Sequence, residues 1–215
     1  MRAELGKRVK IYDNDWDAIL DAELKKHFHE KTYPKVKPML DTSINIFRRI
    51  VREICTVYRE PGKRVIVGAT DGLQEEADEL FRGMFIDQTM QVAHRYAKAA
   101  TISFIHVMPI DNPLPWQAPV SLRVLTPDQV IVETDPKDIR RMTLYAYECT
   151  IIDARTKKKR TVWPTYTDSE FWYADNTGEP IEYDPVTGEE YEDGTPNPWG
   201  VIPAVCFPAE FQVRS

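Results

Sequence analysis

No stretch of this 215-residue sequence approaches the ~18 consecutive apolar residues that a membrane-spanning helix requires. The most apolar run, Ala99 to Ile110, is interrupted by Ser103 and His106 and leads into prolines. The opening residues, Met1-Arg2-Ala3-Glu4-Leu5-Gly6-Lys7-Arg8, lack the apolar core of a secretory signal. The expectation is a protein made and kept in water, with no membrane partner. Cysteine is scarce: Cys55, Cys149 and Cys206 lie far apart with no C-x-x-C spacing, which excludes a disulfide framework and fits a reducing compartment. Each is expected as a small, buried apolar residue. Glycine is sparse too, nine residues against sixteen prolines, so extended segments and fixed turns are expected more than long helices. A phosphate-cradling loop needs glycines before Lys-Ser or Lys-Thr. The two Gly-Lys pairs, Gly6-Lys7 and Gly62-Lys63, are each followed by Arg. G-x-G-x-x-G, G-x-S-x-G and H-E-x-x-H are all missing. A basic excess is missing as well: 34 acidic and 28 basic residues give a net charge of −6, a poor balance for gripping phosphates.

What is present suits a folded domain. The chain is 42% hydrophobic, 29% charged and 11% aromatic, enough for one well-filled core or two small ones. The first half reads as helical. Asp13 and Asn14 are expected to cap a helix over 15–29, with Trp16, Leu20, Leu24 and Phe28 on one face. Two prolines make 31–38 a stiff linker. The clearest amphipathic segment, 43–59, has the stripe Ile44, Phe47, Val51, Ile54 and Tyr58, with Arg48, Arg49, Arg52 and Arg59 off it. Pro61-Gly62 should end that helix and start a short strand over 64–67. Asp71 with Gln74 resembles a capping box for a helix to about Arg82. Asp87 should cap a further helix with a small-residue face of Ala93, Tyr96, Ala97 and Ala100.

From Thr101 the texture turns to β. Strands are expected over 101–108, 120–125, 129–133, 143–152, 161–167 and 169–174, with 111–116 as a loop. Asp184 to Glu189 carries turn chemistry inside a run, Glu179 to Asp193, of seven acidic residues and no basic one. Helices first and then an antiparallel sheet is the α+β pattern. It divides the chain into a helical part, 1–100, and a mainly antiparallel β part, 101–215.

Candidate sites are few. His27 and His29, two apart on a helix, point about 200° apart and do not clamp one metal. His106 in a strand could serve as a general base, although packing is the commoner role there. The acidic run lacks the spacing of a calcium loop. With 34 acidic residues, no carboxylate pair stands out for acid–base work. No catalytic, cofactor-binding or metal-binding residue is assigned, no cofactor is implied, and no enzymatic activity is expected. The one candidate interaction loop is the basic tip Arg155, Lys157, Lys158, Lys159 and Arg160, placed between two strands. Such a run is most simply a solvated turn, and otherwise a contact for phosphate backbone or a single-stranded nucleic acid. Trp163, Tyr166, Phe171, Trp172 and Tyr173 are interleaved with acidic residues, which favours packing over base stacking. If exposed, these Trp and Tyr residues would instead suit a glycan-binding or hydrolytic β-rich domain.

Several segments, taken in order, resemble the N-terminal part of the portal proteins of tailed double-stranded DNA phages. They begin with Asn45-Ile46-Phe47-Arg48-Arg49-Ile50-Val51-Arg52-Glu53-Ile54, continued by Val57-Tyr58-Arg59-Glu60-Pro61. A helical stretch from Ala77 to Ala100 leads into 101–107. Leu125-Thr126-Pro127-Asp128-Gln129-Val130-Ile131-Val132-Glu133-Thr134-Asp135-Pro136 follows, then Leu144 to Glu148 and Tyr166 to Tyr173. The last segment, Asn197-Pro198-Trp199-Gly200-Val201-Ile202-Pro203-Ala204-Val205-Cys206-Phe207, is similar to the family's N-x-x-G-x-I-P-x-V-x-F pattern. The resemblance implies a portal wing: one subunit of a homo-oligomeric ring, usually a dodecamer, assembled in the host cytoplasm at one capsid vertex of the virion. Implied partners are the major capsid protein, the terminase, a head-tail adaptor and double-stranded DNA passing through without specific binding. The family's stem, clip and crown are not evident in these residues.

Overall fold

A computed structural model describes residues 2–40, 44–56, 60, 62–110, 112–114, 117–191 and 195–209. The fold is α+β. Helices α1 (Arg2–Asp13), α2 (Asp17–His27), α3 (Tyr33–Val36), α4 (Ile46–Ile54), α5 (Asp71–Gly83) and α6 (Ile86–Ala100) precede strands β1 (Ile102–Pro109), β2 (Val120–Leu125), β3 (Val130–Asp135), β4 (Asp138–Tyr147), β5 (Cys149–Ile152), β6 (Lys159–Tyr166), β7 (Phe171–Ala174) and β8 (Ala204–Pro208). Among the described residues, no helix is long and apolar enough to cross a membrane.

Contacts divide the chain differently from a boundary at residue 100. One compact unit comprises 1–105, 109–127 and 206–215, and the other 106–108 and 128–205. In the first unit, Tyr12 of α1, Val51 of α4, Cys55 and Ala99 of α6 form one core cluster with Phe47 and Tyr96 against it. The small-residue face of α6 is present as expected: Ala93, Ala97 and Ala100 are fully buried. Ala93 and Ala97 pack with Ile105 and Phe207, where a larger side chain would hold the backbones apart. Gly83 works the same way at the end of α5, since a Cβ there would sit 3.3 Å from that of Ala118.

Several local expectations are corrected. The N-terminal residues form α1, because Gly6, Val9 and Tyr12 recur at three-residue spacing and are buried. The second helix starts at Asp17 and stops at His27, so His29 lies beyond it, and its expected stripe is not a core face: no residue of α2 is fully buried. The proline segment is not an extended linker. It holds α3 and a 3-10 turn (Lys37–Met39), each with a proline in the first turn, where a missing N–H costs nothing. The amphipathic helix spans only Ile46–Ile54, capped by Asn45, whose side chain accepts the Arg48 N–H at 2.7 Å. Ser43, Val57, Tyr58, Arg59 and Pro61 lie outside the described residues, as do Asp111, Pro115 and Trp116 of the expected loop and Glu192 and Asp193 of the acidic run.

Residues 64–67 are not a strand. The Gln74 side chain accepts the Ile66 N–H at 2.9 Å and donates to the Arg64 carbonyl at 3.0 Å, taking the place of a neighbouring strand. Gln74 is therefore not closing a capping box, and α5 is capped by Thr70, which accepts the Leu73 N–H. Nor does Asp87 cap α6, which starts after Phe85 in a left-handed conformation (φ 52°). Asp87 instead holds Arg64 at 2.6 Å and the Gly62 N–H at 3.2 Å.

Strands β2, β1 and β8 form one sheet, and β3-β4-β6-β5 another, with β7 on β6. β8 is the strand sequence reading passed over, because prolines at 203 and 208 flank it; both positions tolerate a missing donor at a strand end. The expected strand 143–152 is two strands in one register. β4 pairs Tyr145 with Tyr166 and β5 pairs Cys149 with Val162, which places Pro164 opposite Tyr147. Pro164 has no N–H to give there, and the ladder breaks at Glu148, whose N–H goes to the Gln129 carbonyl at 2.9 Å.

Candidate interaction loop

The basic tip joins β5 to β6, and its geometry separates the two arginines from the three lysines. The turn is built on Asp153, whose N–H donates to the Lys158 carbonyl and whose carbonyl accepts the Lys157 N–H. Lys157 adopts φ 55°, the left-handed residue that closes such a hairpin. The Asp153 side chain is fully buried. Oδ1 accepts the N–H groups of Arg155 (2.9 Å) and Thr156 (2.8 Å), and Oδ2 accepts the Tyr183 hydroxyl (2.7 Å) with Arg160 Nη1 at 3.5 Å. A buried charge needs this many donors. The Tyr183 hydroxyl first, and then the Thr156 N–H, hold the Asp153 carboxyl far below the usual carboxylate range. The same hydrogen bond raises the Tyr183 phenol.

Arg155 is likewise engaged. Its Nε donates to the Gly188 carbonyl at 2.8 Å, its guanidinium lies 4.2 Å from the Tyr183 ring centroid, and Nη2 stands 3.6 Å from Glu190. The opposing arm is shaped by Asp184, which accepts the Val186 N–H at 2.7 Å, and by Gly188 at φ 84°. The Ala154 N–H reaches the Pro185 carbonyl at 2.8 Å. Arg155 and Arg160 therefore clamp the acidic arm onto the hairpin. Lys157, Lys158 and Lys159 are exposed. The tip is solvated, as expected, at the lysines and at Arg155, which is bonded to the acidic arm as well, while Arg160 is half-buried against Asp153 and Tyr183. Sequence reading missed Asp153 and Tyr183, which lie thirty positions apart.

The aromatic residues form a packed ladder. His106, 1% exposed, has its ring centroid 5.6 Å from that of Tyr145 and 4.4 Å from that of Tyr147. Tyr166 lies 4.7 Å from Phe171 and 5.6 Å from Trp199. Burial pushes the phenols of Tyr166, Tyr173 and Tyr191 well above their ordinary value. Trp163, Phe171, Trp172 and Tyr173 are half-buried and Tyr166 is buried. Cys55 is buried, with Sγ 3.8 Å from the His94 carbonyl. Cys149 and Cys206 are half-buried, and burial raises the Cys206 thiol. Among the described residues, no group of three or more His, Cys, Asp or Glu side chains is placed to hold a metal ion.

Compared with known proteins, the chain matches no family model, and no curated protein matches it.

Proposed function

We propose that this chain is the wing part of a phage portal protein, a structural subunit that works through contacts with copies of itself and not through catalysis. In this reading its ring sits at one capsid vertex, DNA is packaged and ejected through it, and terminase and head-tail connector proteins dock on it. The ordered resemblance from Asn45 to Phe207 motivates the reading, and one observation on the fold carries it further. Helix α4, which holds the first resembling segment, is apolar over more of its circumference than its own unit covers. Phe47 and Val51 face the core, while Ile46, Ile50 and Ile54 are 64%, 53% and 53% exposed and follow one another at four-residue spacing. Covering such side chains is worth about 1.5–3 kcal/mol each at full burial. A second copy of the chain is the cover the reading supplies. The net charge of −6 suits a conduit that DNA must pass without being held.

Sedimentation velocity tests this. The unaltered protein should run as a large oligomer, and Ile50→Asp should shift it toward monomer with an unchanged circular dichroism spectrum, because Ile50 is exposed. A monomer at the highest attainable concentration, or an oligomer indifferent to Ile50→Asp, would sink the proposal.

A further inference from the structure

Helix α4 has a third face, made of guanidinium groups. At 100° per residue, Arg48 and Arg52 lie about 40° apart around the helix and Arg49 about 60° further on. With Asn14, Trp16 and Asn45 they line a cleft of about 690 Å³, within the size range of small-molecule sites. The cleft wall is braced before any ligand arrives. Asn14 sits in the left-handed region (φ 68°), and its Oδ1 accepts from Asn45 Nδ2 at 2.7 Å, while Nδ2 also donates to the Ile11 carbonyl. Asn45 Oδ1 takes the Arg48 N–H, so one side chain ties the end of α1 to the start of α4. Arg48 is held over the Tyr12 ring, 5.8 Å to the centroid. Its Nε is shielded from water and has no hydrogen-bond acceptor among the described residues.

From this geometry we infer that the cleft binds a phosphate group carried on an organic molecule of about nucleotide size. A carboxylate is planar, and one guanidinium fork satisfies it. Three guanidiniums spread around about 100° of helix suit a tetrahedral group with several oxygens. The carboxylates of Asp17 and Glu53 also line the cleft, so among the described lining residues three arginines stand against two carboxylates, one positive charge in excess. That balance fits a single phosphate and opposes a long run of them. The half-buried Trp16 ring offers the organic part a stacking surface. The inference is independent of assembly, since every residue in it lies between positions 11 and 53 of one chain.

The test is calorimetric titration of the purified protein with AMP, adenosine, a 5′-phosphorylated tetranucleotide and a glutamate-rich octapeptide. AMP should bind, adenosine should bind about tenfold more weakly or worse, and Arg49→Ala with Arg52→Ala should cost AMP about tenfold or more. Changing Lys157, Lys158 and Lys159 to Ala should leave binding intact. Binding of the tetranucleotide but not AMP, with the same arginine dependence, identifies the source as a nucleic-acid end. If the double variant misfolds, Arg49→Gln alone serves, since that side chain is exposed. The inference is overturned if no phosphate-bearing probe binds at millimolar concentration, if the arginine variants bind normally, or if the octapeptide binds as well as AMP.

Discussion

At the scale of single residues, Asp153 has the most consequential environment in the described chain. A fully buried carboxylate with four donors contributes stability only while it is ionised. Its folded-state pKa is depressed, so this contribution is complete above the ordinary carboxylate value of about 4 and is lost as pH falls below it. Thermal melts should therefore weaken progressively as pH falls below about 4 and go on weakening toward the acid end of the titration, and Asp153→Asn should flatten that dependence while lowering the melting temperature at neutral pH by a few degrees. A neutral-pH melting temperature unchanged by Asp153→Asn would contradict the assigned role. The residue types of the clamp were visible in the sequence. Their association was not, because Tyr183 and Gly188 reach the hairpin from far along the chain, and a run of like charges at a turn carries no sign that two members are engaged.

At the scale of elements, an apolar stripe located α4 and β-type texture located most strands. Helices α5 and α6 were found near capping residues that turn out to do other work, so the reading failed where side chains stand in for backbone. Residues 64–67 have the composition of a strand, yet the described chain gives them a glutamine amide as neighbour. Gln74→Ala should release that segment: protection of the Ile66 amide in hydrogen exchange should fall, with a cost of about 0.5–1 kcal/mol because the bonds are partly exposed. Unchanged protection would mean that Arg64 and Asp87 hold the segment unaided. Proline misled in both directions. In α3 it sits where a helix accepts it, and in β6 Pro164 interrupts a ladder whose register continues on either side. Helix α1 was illegible for another reason. Its apolar positions are few, and a glycine, ordinarily a poor helix residue, occupies a buried position on its inner face.

At the scale of the whole molecule, the α+β order of helices and then antiparallel strands was legible from composition and texture alone. The partition into units was not, because β1 and β8 each give residues to both. Function is carried by surfaces, and sequence patterns describe cores better than surfaces. Of the exposed isoleucines of α4, only Ile54 belongs to the amphipathic stripe read from the sequence; Ile46 and Ile50 lie beside it, and the fold shows which side is covered. In the proposed reading, their exposure is what links the resemblance to self-assembly. Negative-stain imaging of the purified protein at high concentration tests that link most directly. The account predicts closed rings of one size with a central channel, and fields containing only monomers would contradict it.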